Sequence, residues 1–154
     1  MPTIEKSKIE KNILIRAPRG RVWHALTTLE EFARWFRVEA QGKFAPGERV
    51  EMVSTHPHAA GAKFAIEVDR IEPDRLFSWY WHPGVKPPGA DYSAEPSTRV
   101  EFRLEDAEGG TQVTVVESGF DQLSLERRAK VFEENTQGWE MQLAALDQYA
   151  GRRA

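Results

Sequence analysis

The sequence has no cysteine among its 154 residues, which excludes disulfides, thiolate nucleophiles and cysteine metal sites together. The fold must therefore hold by packing alone. The same absence fits a reducing compartment, and a cytoplasmic location is the expectation. Long apolar runs are missing too. No stretch approaches the roughly 20 residues that span a bilayer, and Met1 to Glu10 is polar and charged, without the apolar centre of a secretion signal. Membrane insertion is not expected. Nor is there a basic excess: 21 Lys and Arg face 24 Asp and Glu, a formal charge of -3. Nucleic-acid binders usually carry the opposite balance, because they neutralise phosphates. The small basic clusters at Arg16, Arg19 and Arg21, at Arg127, Arg128 and Lys130, and at Arg152 and Arg153 are interleaved with acids or lie at a terminus. They read as solvated faces.

What is present is an ordinary soluble composition, 40% hydrophobic and 29% charged, at a length that buries roughly two-thirds of its unfolded surface in one core. No repeat or linker interrupts the chain, so residues 1–154 read as one domain. Ile9 to Ile15 is a β-branched run ended by Ala17-Pro18, where proline suits the first turn of a helix. Val22, Trp23 and Leu26 continue at helical spacing. Thr28 followed by Glu31 matches a capping box and starts a second short helix near Leu29 to Phe36.

From Val38 onward, turn signals separate six expected strands. Phe64, Ile66 and Val68 alternate with more polar neighbours, as do Phe77, Trp79 and Trp81, then Val100, Phe102 and Leu104, and Val113 and Val115. After Asp121 a helix is expected to the end, with Ser124 as its cap. Its inward stripe reads Leu125, Ala129, Phe132, Thr136, Trp139, Leu143, Leu146 and Ala150. The fold class is α+β, a β-α-α-β6-α order with a curved antiparallel sheet of about seven strands. In a meander the connections alternate between the two ends of the sheet. Thr55 to Gly61, His82 to Pro96 and the entry to the last helix then share one end, the candidate mouth of a cavity. The 82–96 stretch holds four of the nine prolines and reads as a semi-rigid flap.

Val22-Trp23-His24-Ala25-Leu26-Thr27, Arg34-Trp35-Phe36, Phe77-Ser78-Trp79, Glu117-Ser118-Gly119-Phe120 and Gly138-Trp139 with Leu143 and Leu146 occur in this order. Together they resemble the SRPBCC (START-like) superfamily, and more narrowly the branch of the activator of heat-shock protein 90 ATPase. The resemblance implies the helix-grip fold, with a ligand held between the sheet and the last helix. It offers three functions: binding of a hydrophobic or aromatic small molecule, regulation of a chaperone ATPase as partner, or a polyketide cyclase or dehydratase activity. A fold shared by all three does not choose among them.

The ligand-binding candidates are the inward positions Trp35, Phe64, Ile66, Phe77, Trp79, Trp81, Phe102, Val115, Glu117, Phe132, Thr136, Trp139 and Leu143. Five tryptophans and eight phenylalanines favour an apolar pocket over a polar one. Glu117 falls at the strand period after Val113 and Val115, so its carboxylate turns inward and needs a partner, water, or a polar ligand to orient. Thr136 interrupts the helical stripe, either as a satisfied hydroxyl or as a ligand contact. Acid-base chemistry would fall to Glu117, His82 or Tyr80. His56, His58 and His82 share the cavity end, but no carboxylate stands at ligand spacing and no HExxH motif is present, so no metal and no cofactor is expected. No GxSxG elbow or phosphate loop is present. Oligomeric state is not legible here.

Overall fold

A computed structural model describes residues 8–57, 60–83 and 96–151. The expected flap lies almost wholly outside these residues, as do His58, Arg152 and Arg153. Strand β1 (Lys8–Ile15) leads into helices α1 (Arg19–Thr27) and α2 (Leu29–Phe36). Strands β2 (Val38–Gln41), β3 (Arg49–Ser54), β4 (Lys63–Glu72), β5 (Leu76–Trp81), β6 (Thr98–Ala107) and β7 (Gly110–Ser118) follow, and α3 (Leu125–Ala150) ends the described chain. The strands form one antiparallel sheet in the order β1-β7-β6-β5-β4-β3-β2. This is the meander expected from the turn signals, closed at one edge by the first strand.

Each element follows from local sequence. Pro18 sits at the start of α1, where its missing N-H costs nothing. Phe32, Trp35 and Phe36 bury one face of α2, and Arg37, at φ 60°, ends that helix in the left-handed region. Gly110 has a stricter role. A Cβ there would lie 2.0 Å from the Ile15 carbonyl oxygen, so only glycine lets β7 begin against the end of β1.

Two local expectations are corrected. Thr28 is the N-cap of α2, but its side chain makes no capping hydrogen bond. Glu31 instead pairs with Arg21, at 2.7 Å, and with His24, both on α1, where the guanidinium meets its carboxylate charge to charge. The stripe on α3 is also shorter than expected. Leu125 is 80% exposed and Ala129 is exposed, while Val131, Trp139, Leu143, Leu146 and Ala150 are buried. Helical spacing continues into the first turns, but those turns run past the buried layer. A single 3-10 turn, Phe120–Gln122, precedes Ser124, which caps α3 without a side-chain bond.

The outer face of the sheet carries a charged ladder. Asp69 accepts from Ser78 Oγ at 3.0 Å and from Arg99 Nε at 3.1 Å. Arg99 and Arg103 both pair with Glu101. Burial alone would raise the Glu101 carboxyl, but the two guanidiniums outweigh it and hold the group below the usual carboxylate range. A carboxyl depressed in the folded state adds stability that is complete above its unfolded value and is lost as pH falls through its folded value. Glu101→Gln should therefore lower stability by about 1 kcal/mol near neutral pH. The deficit should shrink on acidification, as read from urea unfolding midpoints across the acid range; a deficit independent of pH would contradict this assignment.

Candidate functional site

The helix-facing side of the sheet is filled at its centre by aromatic rings. Trp79 is completely buried and stacks with Phe102, centroids 5.6 Å apart. Phe32 meets Trp79 edge-on at 5.9 Å, and Phe77 meets it at 5.4 Å. Trp35 donates its indole N-H to the Ala25 carbonyl at 2.9 Å and so ties α2 to α1. Trp35, Phe77, Trp79 and Phe102 of the expected binding set are thus packed in the core.

The Glu117 side chain is fully buried. The carboxylate accepts four hydrogen bonds. Oε2 takes the Trp81 indole N-H at 2.8 Å and the Thr98 hydroxyl at 2.5 Å. Oε1 takes the Asn135 amide at 2.9 Å and the Trp139 indole N-H at 2.8 Å. The partners that the inward carboxylate needs are neutral donors from β5, β6 and α3. Indole and amide N-H groups only donate, so this geometry suits an acceptor-only carboxylate. Burial of such a group is tolerable only because its lone pairs are saturated.

The two indoles that Glu117 holds are stacked, 5.7 Å apart with 27° between planes. With Phe36 and Phe64 they form an aromatic corner: Phe64 stands 5.9 Å from Trp81, and Phe36 6.3 Å from Trp139. A cavity of about 590 Å³ opens against this corner. Val38, Ser54, His56, Ala62, Lys63, Phe64, Trp81, His82 and Pro83 bound it on the strand side. From α3 come Glu134, Asn135, Gln137, Gly138, Trp139, Met141 and Gln142. The helix packs on β1, α1 and α2, and the space appears over the other half of the sheet. Its volume falls within the roughly 300–1,000 Å³ typical of small-molecule sites.

Of the residues proposed from sequence, Phe64, Trp81, Trp139 and His82 line this cavity, and Trp35 lines a smaller one beside it. Ile66, Phe77, Trp79, Phe102, Val115 and Leu143 are buried in the hydrophobic core. Phe132 packs edge-on against Phe120 at 5.2 Å. Thr136 donates to the Phe132 carbonyl at 2.7 Å, a satisfied hydroxyl. Tyr80 alternates with Trp79 and Trp81 and is 39% exposed, so it projects from the other face of the sheet and not toward the mouth. His56 and His82 do come together at the cavity, as loop alternation required. Among the described residues no group of three His, Asp or Glu side chains is arranged to hold a metal.

Sequence reading missed Phe36, Lys63, Asn135, Gly138, Met141 and Gln142. Asn135 was within reach: it stands four residues before Trp139, on the same helical face, and an inward Glu117 demands donors.

Sheet, gripped helix and lateral cavity define the class, a helix-grip domain of the SRPBCC type. Residues 16–151 match the profile described as activator of Hsp90 ATPase homolog 1-like protein, and the chain belongs to that family. No curated protein sequence matches it. Among solved structures it is similar to MLL2253 from Mesorhizobium loti, at 22% identity and TM-score 0.72, over 92% of this chain and 95% of that one. It is similar to the Aha1 dimer from Colwellia psychrerythraea, at 19% identity and TM-score 0.71, over 93% and 95%. It also resembles DynU16, a protein in the dynemicin biosynthetic locus, at 22% identity and TM-score 0.71, covering 93% of this chain but 46% of that one. These likenesses establish the fold.

Removing the Glu117 acceptor strands four donors, two of them on the indole rings of Trp81 and Trp139. Glu117→Leu should cost about 3–5 kcal/mol, and Glu117→Gln less, since one amide oxygen still accepts. Denaturant unfolding followed by tryptophan emission measures both; a loss under about 1 kcal/mol for Glu117→Leu would show that the network contributes little.

Proposed function

We propose that this protein binds an apolar or aromatic small molecule in the cavity between the β2–β5 half of the sheet and α3. The observation that carries this reading is the stacked Trp81 and Trp139 pair in a lateral space of about 590 Å³. Aromatic walls offer large apolar area and rigid faces for a planar ligand. Membership in a superfamily associated with small hydrophobic ligands supports the reading, as does the likeness to a protein in a biosynthetic locus. Binding is favoured over acid-base turnover because Glu117, the strongest acid candidate, is already saturated by four protein donors. No helix is long and apolar enough to cross a membrane among the described residues, which suits a carrier that meets its ligand in water.

Gly138 provides a clean test. It lies inside α3, lines the cavity, and, its own helix backbone and chain neighbours aside, has no atom within 4 Å of where a Cβ would stand. A helix-interior glycine costs about 0.5–1 kcal/mol relative to alanine. Gly138→Ala should therefore stabilise the protein by about that amount, and Gly138→Phe should keep the fold while filling the space. With the uncharged probe N-phenylnaphthylamine, the wild type should enhance probe fluorescence saturably. Gly138→Phe should bind at least about tenfold more weakly, a loss of about 1.4 kcal/mol. Equal binding by the two proteins would refute the cavity as the site.

A further inference from the structure

A second cavity, of about 230 Å³, adjoins the first and shares Phe36, His56, Met141 and Gln142 with it. Along α3 the first is bounded from Glu134 to Gln142 and the second from Met141 to Gln148. Their centres are therefore displaced by about two turns, or ~10 Å. The partition between them is slight. Met141 is unbranched and 46% exposed, and such a side chain adapts easily to a neighbour. Gln142 Nε2 reaches the Phe36 carbonyl at 3.4 Å, beyond the usual range of a firm hydrogen bond. The two spaces meet at these side chains.

The two ends differ in chemistry. The first cavity presents the Trp81 and Trp139 rings, with one lysine, Lys63, and one carboxylate, Glu134, in its wall; the second presents Trp35, Gln148, two alanines and Arg37, with no carboxylate in its lining. Arg37 is exposed, and its guanidinium has no ion-pair partner among the described residues. An unpaired guanidinium is well matched to a carboxylate. We propose that the two cavities are one bipartite site for an elongated aromatic acid. The ring body lies on Trp81 and Trp139, an aliphatic arm passes between Met141 and Gln142, and the anionic end meets Arg37. This rests on the binding function above and adds the ligand's class and orientation.

The test uses the full chain with pyrenedecanoic acid, pyrenedecanol and pyrenebutanol, read by energy transfer from tryptophan to pyrene. Ala144 is exposed and lines the second cavity without lining the first, so Ala144→Phe blocks the arm and spares the ring site. It should weaken pyrenedecanoic acid about tenfold, the equivalent of losing about two buried methylenes, and leave pyrenebutanol unchanged. Arg37→Gln should weaken the decanoic acid several-fold and leave the decanol unchanged. The proposal is overturned if Ala144→Phe binds pyrenedecanoic acid as the wild type does, or if Arg37→Gln affects acid and alcohol equally. Failure of wild-type protein to bind pyrenebutanol would defeat the ring site itself, and this inference with it.

Discussion

A buried carboxylate with no counter-cation among the described residues governs this structure. Glu117 is fully enclosed, and its negative charge is met by the dipoles of two indoles, an amide and a hydroxyl. Such a group is costly to bury, and the cost is offset only when every lone pair finds a donor in good geometry. The requirement couples distant parts of the chain. Trp81 ends β5, Thr98 opens β6, Glu117 is the next-to-last residue of β7, and Asn135 and Trp139 stand one turn apart on α3. Satisfying one side chain therefore fixes the height and rotation of α3 over the end of the sheet.

That fixing shapes the cavity. With their N-H groups tied to one carboxylate, the two indoles cannot rotate freely into the neighbouring space, and they present a stiff stacked wall. On the opposite side, α3 rests on β1 and on the two short helices. The helices are themselves joined where Glu31 meets Arg21 and His24, and where Arg21 lies 5.3 Å over the Tyr149 ring of α3. Burial would raise the Glu31 carboxyl, but hydrogen bonds from Arg21, Tyr149 and His24 outweigh it and hold the group low. The helix is thus held along one flank and at one polar hub, and the cavity opens beside it over one end of β2–β5.

Much of the fold was legible because it depends on periodicity. Alternation of Val100, Phe102 and Leu104 or of Val113 and Val115 declares strands, and the turn signals between them declare a meander. The inward aim of Glu117 followed from the same period. The cavity was less legible, because it depends on the mismatch between two facing surfaces, and period does not encode volume. Phe77, Trp79 and Phe102 share the inward face with Trp81, yet they meet other rings while Trp81 meets open space. Periodicity also misleads at its ends. Leu125 keeps the helical spacing but has no core beneath it, and the Thr28 and Glu31 pair keeps the capping pattern but has stronger partners nearby.

The central claim is that the indoles held by Glu117 form the wall on which a ligand lies. It is tested most directly by the indole N-H resonances of Trp23, Trp35, Trp79, Trp81 and Trp139, recorded while an uncharged aromatic alcohol is titrated into nitrogen-labelled protein. Ring-current shifts should concentrate on Trp81 and Trp139, and these two N-H groups should stay protected from solvent exchange throughout, since the carboxylate and not the ligand accepts them. Shifts centred on Trp23, or rapid exchange of the Trp81 and Trp139 N-H groups in the free protein, would contradict the account.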